Sequence, residues 1–134
     1  MNQNQIRQKY PLIRPQKILV VDDDPIIRDM MVDILECEGH TPELARNGQE
    51  ALRVLSGPAS YLVFLDLLMP KFSGKDLCIT LATRPNIRQR HIIVLMSALD
   101  NILETLNLDV DMVMPKPFVV DDVEEALTMY IGQL

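Results

Sequence analysis

Along this chain, short uninterrupted apolar runs alternate with longer segments in which apolar residues recur every three or four positions. The runs Ile18-Leu19-Val20-Val21, 61–65 and 92–96 have no polar interruption, which predicts strands buried on both faces rather than strands with one wet side. The segments between them carry a helical period, and strands alternating with helices predict an α/β fold with a parallel sheet covered on both faces. Residues 1–16 show neither period and include Pro11 and Pro15. They read as a flexible arm ahead of one domain spanning 17–134.

The turn signals sharpen this division. Asp24-Pro25 predicts a capped helix start, with Ile26, Ile27, Met30, Met31, Ile34 and Leu35 on one face as far as Glu38 and Gly39 as the stop. A weak second strand over 41–45 contains Pro42, which has no N–H for a ladder and so belongs at a sheet edge. Asn47-Gly48-Gln49-Glu50 resembles a capping box that opens a helix with Ala51, Leu52 and Leu55 inward. After the third strand, a loop with Met69-Pro70 and Gly74 leads to a helix burying Leu77, Cys78 and Leu81. A short helix over 101–107, a brief strand over 111–114 and a last helix burying Val123, Ala126, Leu127, Tyr130 and Ile131 before Gly132 complete five strand-helix units.

Composition narrows the class. With 134 residues and 48% of them apolar, the chain can bury one sizeable core. Its formal charge of -6 is spread over both signs, without the basic stripe that direct nucleic-acid or anionic-membrane contact requires. Cys37 and Cys78, far apart, read as small core hydrophobes in a reducing compartment, and the eight Met as core filler. His40 and His91 lack metal-ligand spacing and read as surface or edge residues. No apolar run approaches the ~18 residues of a membrane span, and no signal-peptide core precedes the domain. The expectation is a soluble, cytoplasmic protein.

The polar residues that follow the buried strands carry the candidate chemistry: Asp22 and Asp23, Asp66, Ser97 and Lys116. In an open parallel sheet the strand ends share one edge, where these groups can converge. Three adjacent carboxylates repel one another, and a hard cation such as Mg²⁺ would let all three remain ionised. A carboxylate nucleophile, a divalent cation, an ammonium and a hydroxyl are the parts of phosphoryl transfer to aspartate. Taken singly, the acidic run could be a solvated helix start, Ser97 a cap and Lys116 a surface charge. Only their combination points to a site.

Together, Ile18 to Asp24, the stretch Leu65-Asp66-Leu67-Leu68-Met69-Pro70 with Gly74, Val94-Leu95-Met96-Ser97-Ala98 and Lys116-Pro117-Phe118 resemble, in order, the four signatures of response-regulator receiver domains. The resemblance implies a flavodoxin-like, doubly wound sheet of five parallel strands in order 2-1-3-4-5 with five flanking helices. It also implies a phosphoryl-accepting switch in two-component or phosphorelay signalling, either stand-alone or a part of a larger regulator. By the same match Asp66 is the phosphoacceptor, Asp22 and Asp23 position Mg²⁺, and the Leu68 carbonyl is a further metal ligand. Ser97 would hydrogen-bond the phosphoryl group and Lys116 would pair with it, next to a cis Lys116-Pro117 peptide. The implied partners are a histidine kinase or histidine phosphotransfer protein and a downstream protein target. Leu68 and Leu99 stand where the family's side chains govern phosphoryl lifetime.

Two departures accompany the match. Val113 occupies the position of the usual switch aromatic, and the stretch from Ser97 to Lys116 is shorter by roughly three residues, nearly one helical turn. Two other readings compete with it: a dehalogenase-type phosphatase with Asp22 as nucleophile, and a docking module that needs no phosphorylation.

Overall fold

The structure, a computed structural model, describes residues 13–131. Its elements are β1 (Lys17–Val21), α1 (Pro25–Cys37), β2 (Glu43–Ala45), α2 (Gly48–Leu55), β3 (Tyr61–Asp66), α3 (Gly74–Ala82), α4 (Pro85–Arg88), β4 (Ile92–Ala98), a 3₁₀ helix (Leu99–Thr105), β5 (Met112–Lys116) and α5 (Val120–Tyr130). The strands form one parallel sheet in order β2-β1-β3-β4-β5, with the short β2 at an edge, where the sequence reading put it.

Alternation along the strands explains why they are apolar throughout. Successive side chains point to opposite faces, and each face is covered. Leu19, Val21, Val63 and Leu65 pack on one side with Ala51 and Leu55 of α2 and Leu77 and Leu81 of α3. Ile18, Val20, Leu62 and Phe64 pack on the other with Met31 and Leu35 of α1 and Val123 and Leu127 of α5.

Helix α1 begins as its sequence demands. The Asp24 side chain accepts from Ile26 N–H at 2.9 Å, with Pro25 in the first turn, a cap that contributes about 1 kcal/mol. Gly39 follows the helix at φ 88°. The inward stripe is narrower than its spacing suggests: Met31 and Leu35 are buried and Ile27 and Ile34 partly so, while Ile26 is 74% and Met30 38% exposed. In α2, Asn47 accepts from Glu50 N–H, but the Glu50 carboxylate takes the Arg46 amide and guanidinium instead of closing a capping box.

Other elements depart from the sequence reading. Pro42 lies just outside β2. The expected helix over 101–107 is the 3₁₀ segment, which starts directly after β4 and leaves Leu99, Leu103 and Leu106 exposed. β5 runs on through Pro115 to Lys116, since on this outer strand the missing proline N–H interrupts no second ladder. Helix α4 has no counterpart in the apolar period. It places Arg88 in the interior, where Nη1 donates to His91 O at 2.8 Å and Nη2 to Asp111 Oδ2 at 2.9 Å.

His91 is buried rather than a surface or edge residue. Its Nδ1 accepts from Tyr61 N–H at 3.1 Å, so the ring proton sits on Nε2, 2.8 Å from Leu55 O. Cys78 is buried and Cys37, at the end of α1, is exposed instead of in the core; both are free. At the last residues of the expected arm, Pro15 is buried and Gln16 N–H donates to Ser60 O; residues 1–12, the remainder of the arm apart from 13 and 14, and Gly132 lie outside the described residues.

Candidate functional site

The sheet register brings the strand ends level. Val21 pairs with Leu65, Asp66 with Met96 and Ala98 with Lys116, so Asp22, Asp66, Ser97 and Lys116 all fall at one edge. The turn after β1 holds Asp22 almost wholly buried: its Oδ1 accepts from Asp24 N–H at 3.0 Å, and its backbone carbonyl accepts from Arg28 Nη1 at 2.7 Å. Arg28 carries no signature of its own in the sequence. The available hint was one basic residue a turn beyond the acidic run, well placed to tie that run to α1.

Lys116 Nζ joins the carboxylates, lying 3.2 Å from Asp22 Oδ2 and 3.0 Å from Asp66 Oδ1. The Lys116-Pro117 peptide is cis. Burial works against the Lys116 charge, but the two carboxylates together outweigh it and hold its pKa above the ordinary value. Burial, joined by repulsion from Asp22, pushes the Asp66 pKa from 3.8 up to about 6 despite Lys116. At neutral pH Asp66 is therefore a carboxylate able to act as a nucleophile, though one whose surroundings call for more positive charge.

Asp22, Asp23 and Asp66 each offer a carboxylate oxygen, and the three oxygens lie within 4.8 Å of one another. All-oxygen, anionic donors at that separation suit a hard divalent cation. Ser97 shares the edge, yet its buried hydroxyl is turned toward its neighbour and donates to Ala98 O at 3.1 Å. Leu68, two residues past Asp66, is exposed. Gly74 lies where a Cβ would run into the Asp66 carbonyl, so the chain after the acceptor strand folds back tightly and Gly74 N–H meets Leu67 O.

The sequence pattern of the response regulator receiver domain matches residues 18–128. The chain belongs to that family. It is 32% identical over 111 residues to the response regulator MprA of Mycolicibacterium vanbaalenii, a match covering 81% of this chain and 47% of that protein. The chain thus spans about half the length of the curated relatives it matches. Its fold is similar to a CheY-like receiver domain from Methanospirillum hungatei (TM-score 0.74, 26% identity, 87% of this chain and 94% of that one). It is also similar to the receiver domain of a histidine kinase from Syntrophus aciditrophicus (TM-score 0.77, 29% identity, 87% and 89%). A third fold neighbour, at 21% identity and TM-score 0.77 over 88% and 90%, is a Saccharomyces cerevisiae receiver domain crystallised with a histidine phosphotransfer protein. The chain is therefore a response regulator receiver domain, and the family is not that of the dehalogenase-type alternative. No helix among the described residues is long and apolar enough to cross a membrane.

Proposed function

We propose that this receiver domain accepts a phosphoryl group on Asp66 from a phosphohistidine, with Mg²⁺ held by Asp22, Asp23, Asp66 and the Leu68 carbonyl. The observation that carries the reading is the convergence of three carboxylates and one lysine at the strand ends. Mg²⁺, when bound, supplies the positive charge that offsets the transferring phosphoryl group.

The chain's own residues do the rest. Burial keeps Asp66 in place with little solvent around it, and its carboxylate attacks phosphorus as the bond to the donor nitrogen breaks. Lys116, already paired with Asp66 Oδ1, is in place to pair with the phosphoryl oxygens. Ser97 reaches them by giving up its bond to Ala98 O, and this rotation is the change that alters contacts with a downstream protein. Val113 offers no aromatic lever to follow it, so the response is carried by Ser97 and the 3₁₀ segment.

A histidine phosphotransfer protein or histidine kinase is the donor, a partner class for which the yeast fold neighbour gives a precedent; a small acyl phosphate can replace it through the same attack. Self-catalysed uptake and loss of the phosphoryl group, and a cytoplasmic location, belong to this reading. Asp66→Asn is expected to abolish phosphorylation by intact-mass measurement, and an undiminished added phosphoryl mass on that variant would overturn the assignment.

A further inference from the structure

We infer that Gly48, at the start of α2, is a positioning residue for the phosphorylation site: its missing side chain lets the loop after Asp66 dock on α2, and that docking holds the segment carrying Leu68. The inference rests on the reading of Asp66 and its cation given above, and it concerns a residue that touches none of the site's carboxylates.

The loop over 67–73 is held at both ends. At the near end Leu67, buried, donates to Met96 O at 3.0 Å and accepts from Gly74 N–H at 3.1 Å. At the far end Phe72 O accepts from Gly48 N–H at 3.0 Å. The first amides of a helix have no acceptor within it; the Asn47 side chain takes that of Glu50, and Gly48's crosses to the loop. The Phe72 ring is partly buried against the core cluster that includes Ala51 and Leu55 of the same helix.

A Cβ on Gly48 would overlap both the Phe72 ring edge and the Phe72 carbonyl. Glycine is needed here for closeness of approach, unlike Gly39, where a positive φ demands it. Between the anchors Lys71 sits at φ 64°, a backbone conformation disfavoured for a residue with a side chain and held only while its surroundings impose it. Releasing the Phe72 end lets Lys71 relax and changes the path of Leu68, Met69 and Pro70. A change at the start of α2 is thus transmitted to the cation site through the loop.

The test titrates Mg²⁺ into the full chain and follows the amide signals of Asp23 and Lys116 by NMR. Gly48→Ala is expected to weaken Mg²⁺ binding about tenfold, the low end of the loss seen when a group supporting a metal ligand is removed. Val54→Ala, which removes packing at the far end of the same helix, should leave binding unchanged even where it lowers the melting temperature. Phosphorylation of Gly48→Ala by a small acyl phosphate should be slow at low Mg²⁺ and recover at saturating Mg²⁺. Should Gly48→Ala fail to fold, Phe72→Ala, which removes the ring seated on Gly48, carries the same expectation. Wild-type affinity in Gly48→Ala, or in Phe72→Ala where that replaces it, would overturn the inference while leaving the Asp66 reading intact, as would an equal loss in Val54→Ala. Absence of any Mg²⁺ response in the wild type would overturn both.

Discussion

His91 shows how one buried residue ties pH to stability. Burial lowers its pKa below 6.5, and the protonated ring could not accept from Tyr61 N–H, so the folded state resists a proton that the unfolded chain takes freely. Its folded pKa being the lower one, the unfolded state binds more protons between the two values, and stability is lost as pH falls below about 6.5. His91→Gln, which keeps one donor and one acceptor, should flatten the melting temperature between neutral and mildly acidic pH, and an equally steep acid decline in the variant would remove His91 as the cause. Leu68 and Leu99 set a second residue-scale expectation. Neither packs into the core, with 56% and 68% of their surfaces exposed beyond the ends of β3 and β4, and neither can orient a water for in-line attack on a phosphoaspartate. Replacing them together, Leu68→Asn with Leu99→Glu, should shorten phosphoryl lifetime at saturating Mg²⁺; decay as slow as in the wild type would refute it.

At the scale of elements, what the sequence disclosed depended on whether a residue's neighbours in the chain were also its neighbours in space. The apolar strands, the Asp24-Pro25 cap and the buried stripes of α3 and α5 follow local rules, and they stand where the pattern put them. So do the acidic turn, Asp66 and Lys116, because a parallel sheet delivers strand ends to one edge without further instruction. Arg88 and His91 were not legible, because their partners lie 23 and 30 residues away at Asp111 and Tyr61. Gly48 showed itself only as part of a pattern resembling a capping box, while its contact with Phe72 follows from the loop's path. Nor did the spacing in α1 distinguish Leu35, which meets the sheet, from Ile26, which precedes the first covered turn. Arg88 also ties α4 to the approach to β5, since it donates to Asp109 O and to the same Asp111 carboxylate that accepts from Ile93 N–H at 2.7 Å. Arg88→Ala would remove the donor that the Asp111 carboxylate and the Asp109 and His91 carbonyls share, and should destabilise the fold by about 2 kcal/mol in denaturant titration, since Asp111 keeps the Ile93 N–H. A loss below about 0.5 kcal/mol, typical of a surface change, would mean the network adds nothing.

For the whole molecule, the charge of Asp66 is a local cost to folding that a cation bound as proposed should offset. The folded pKa of Asp66 lies above its ordinary 3.8, near 6, so its charge opposes folding. That cost is absent below pH 3.8, grows as pH rises toward 6 and is complete above it. Two units correspond to about 3 kcal/mol before screening, and solvent reaching the site reduces this to about 1 kcal/mol. Metal-free Asp66→Asn should accordingly melt higher than the wild type near neutral pH, as a variant that removes repulsion without opening a cavity. Mg²⁺ held as proposed should reverse the balance, because a ligand bound only by the folded state adds its binding free energy, about 1.4 kcal/mol at about ten times its Kd. For a domain of this size that raises the melting temperature by about 4 °C. On the proposed ligand set the increment should require all three carboxylates, whose oxygens lie within 4.8 Å of one another. Asp23→Asn is the decisive variant, since Asp23 is exposed and its loss should leave the metal-free fold intact while removing most of the Mg²⁺ increment. Melting curves for the wild type and both variants, with and without Mg²⁺, test the sign at each step. An increment of equal size in wild type and Asp23→Asn would show that the cation acts elsewhere on the surface.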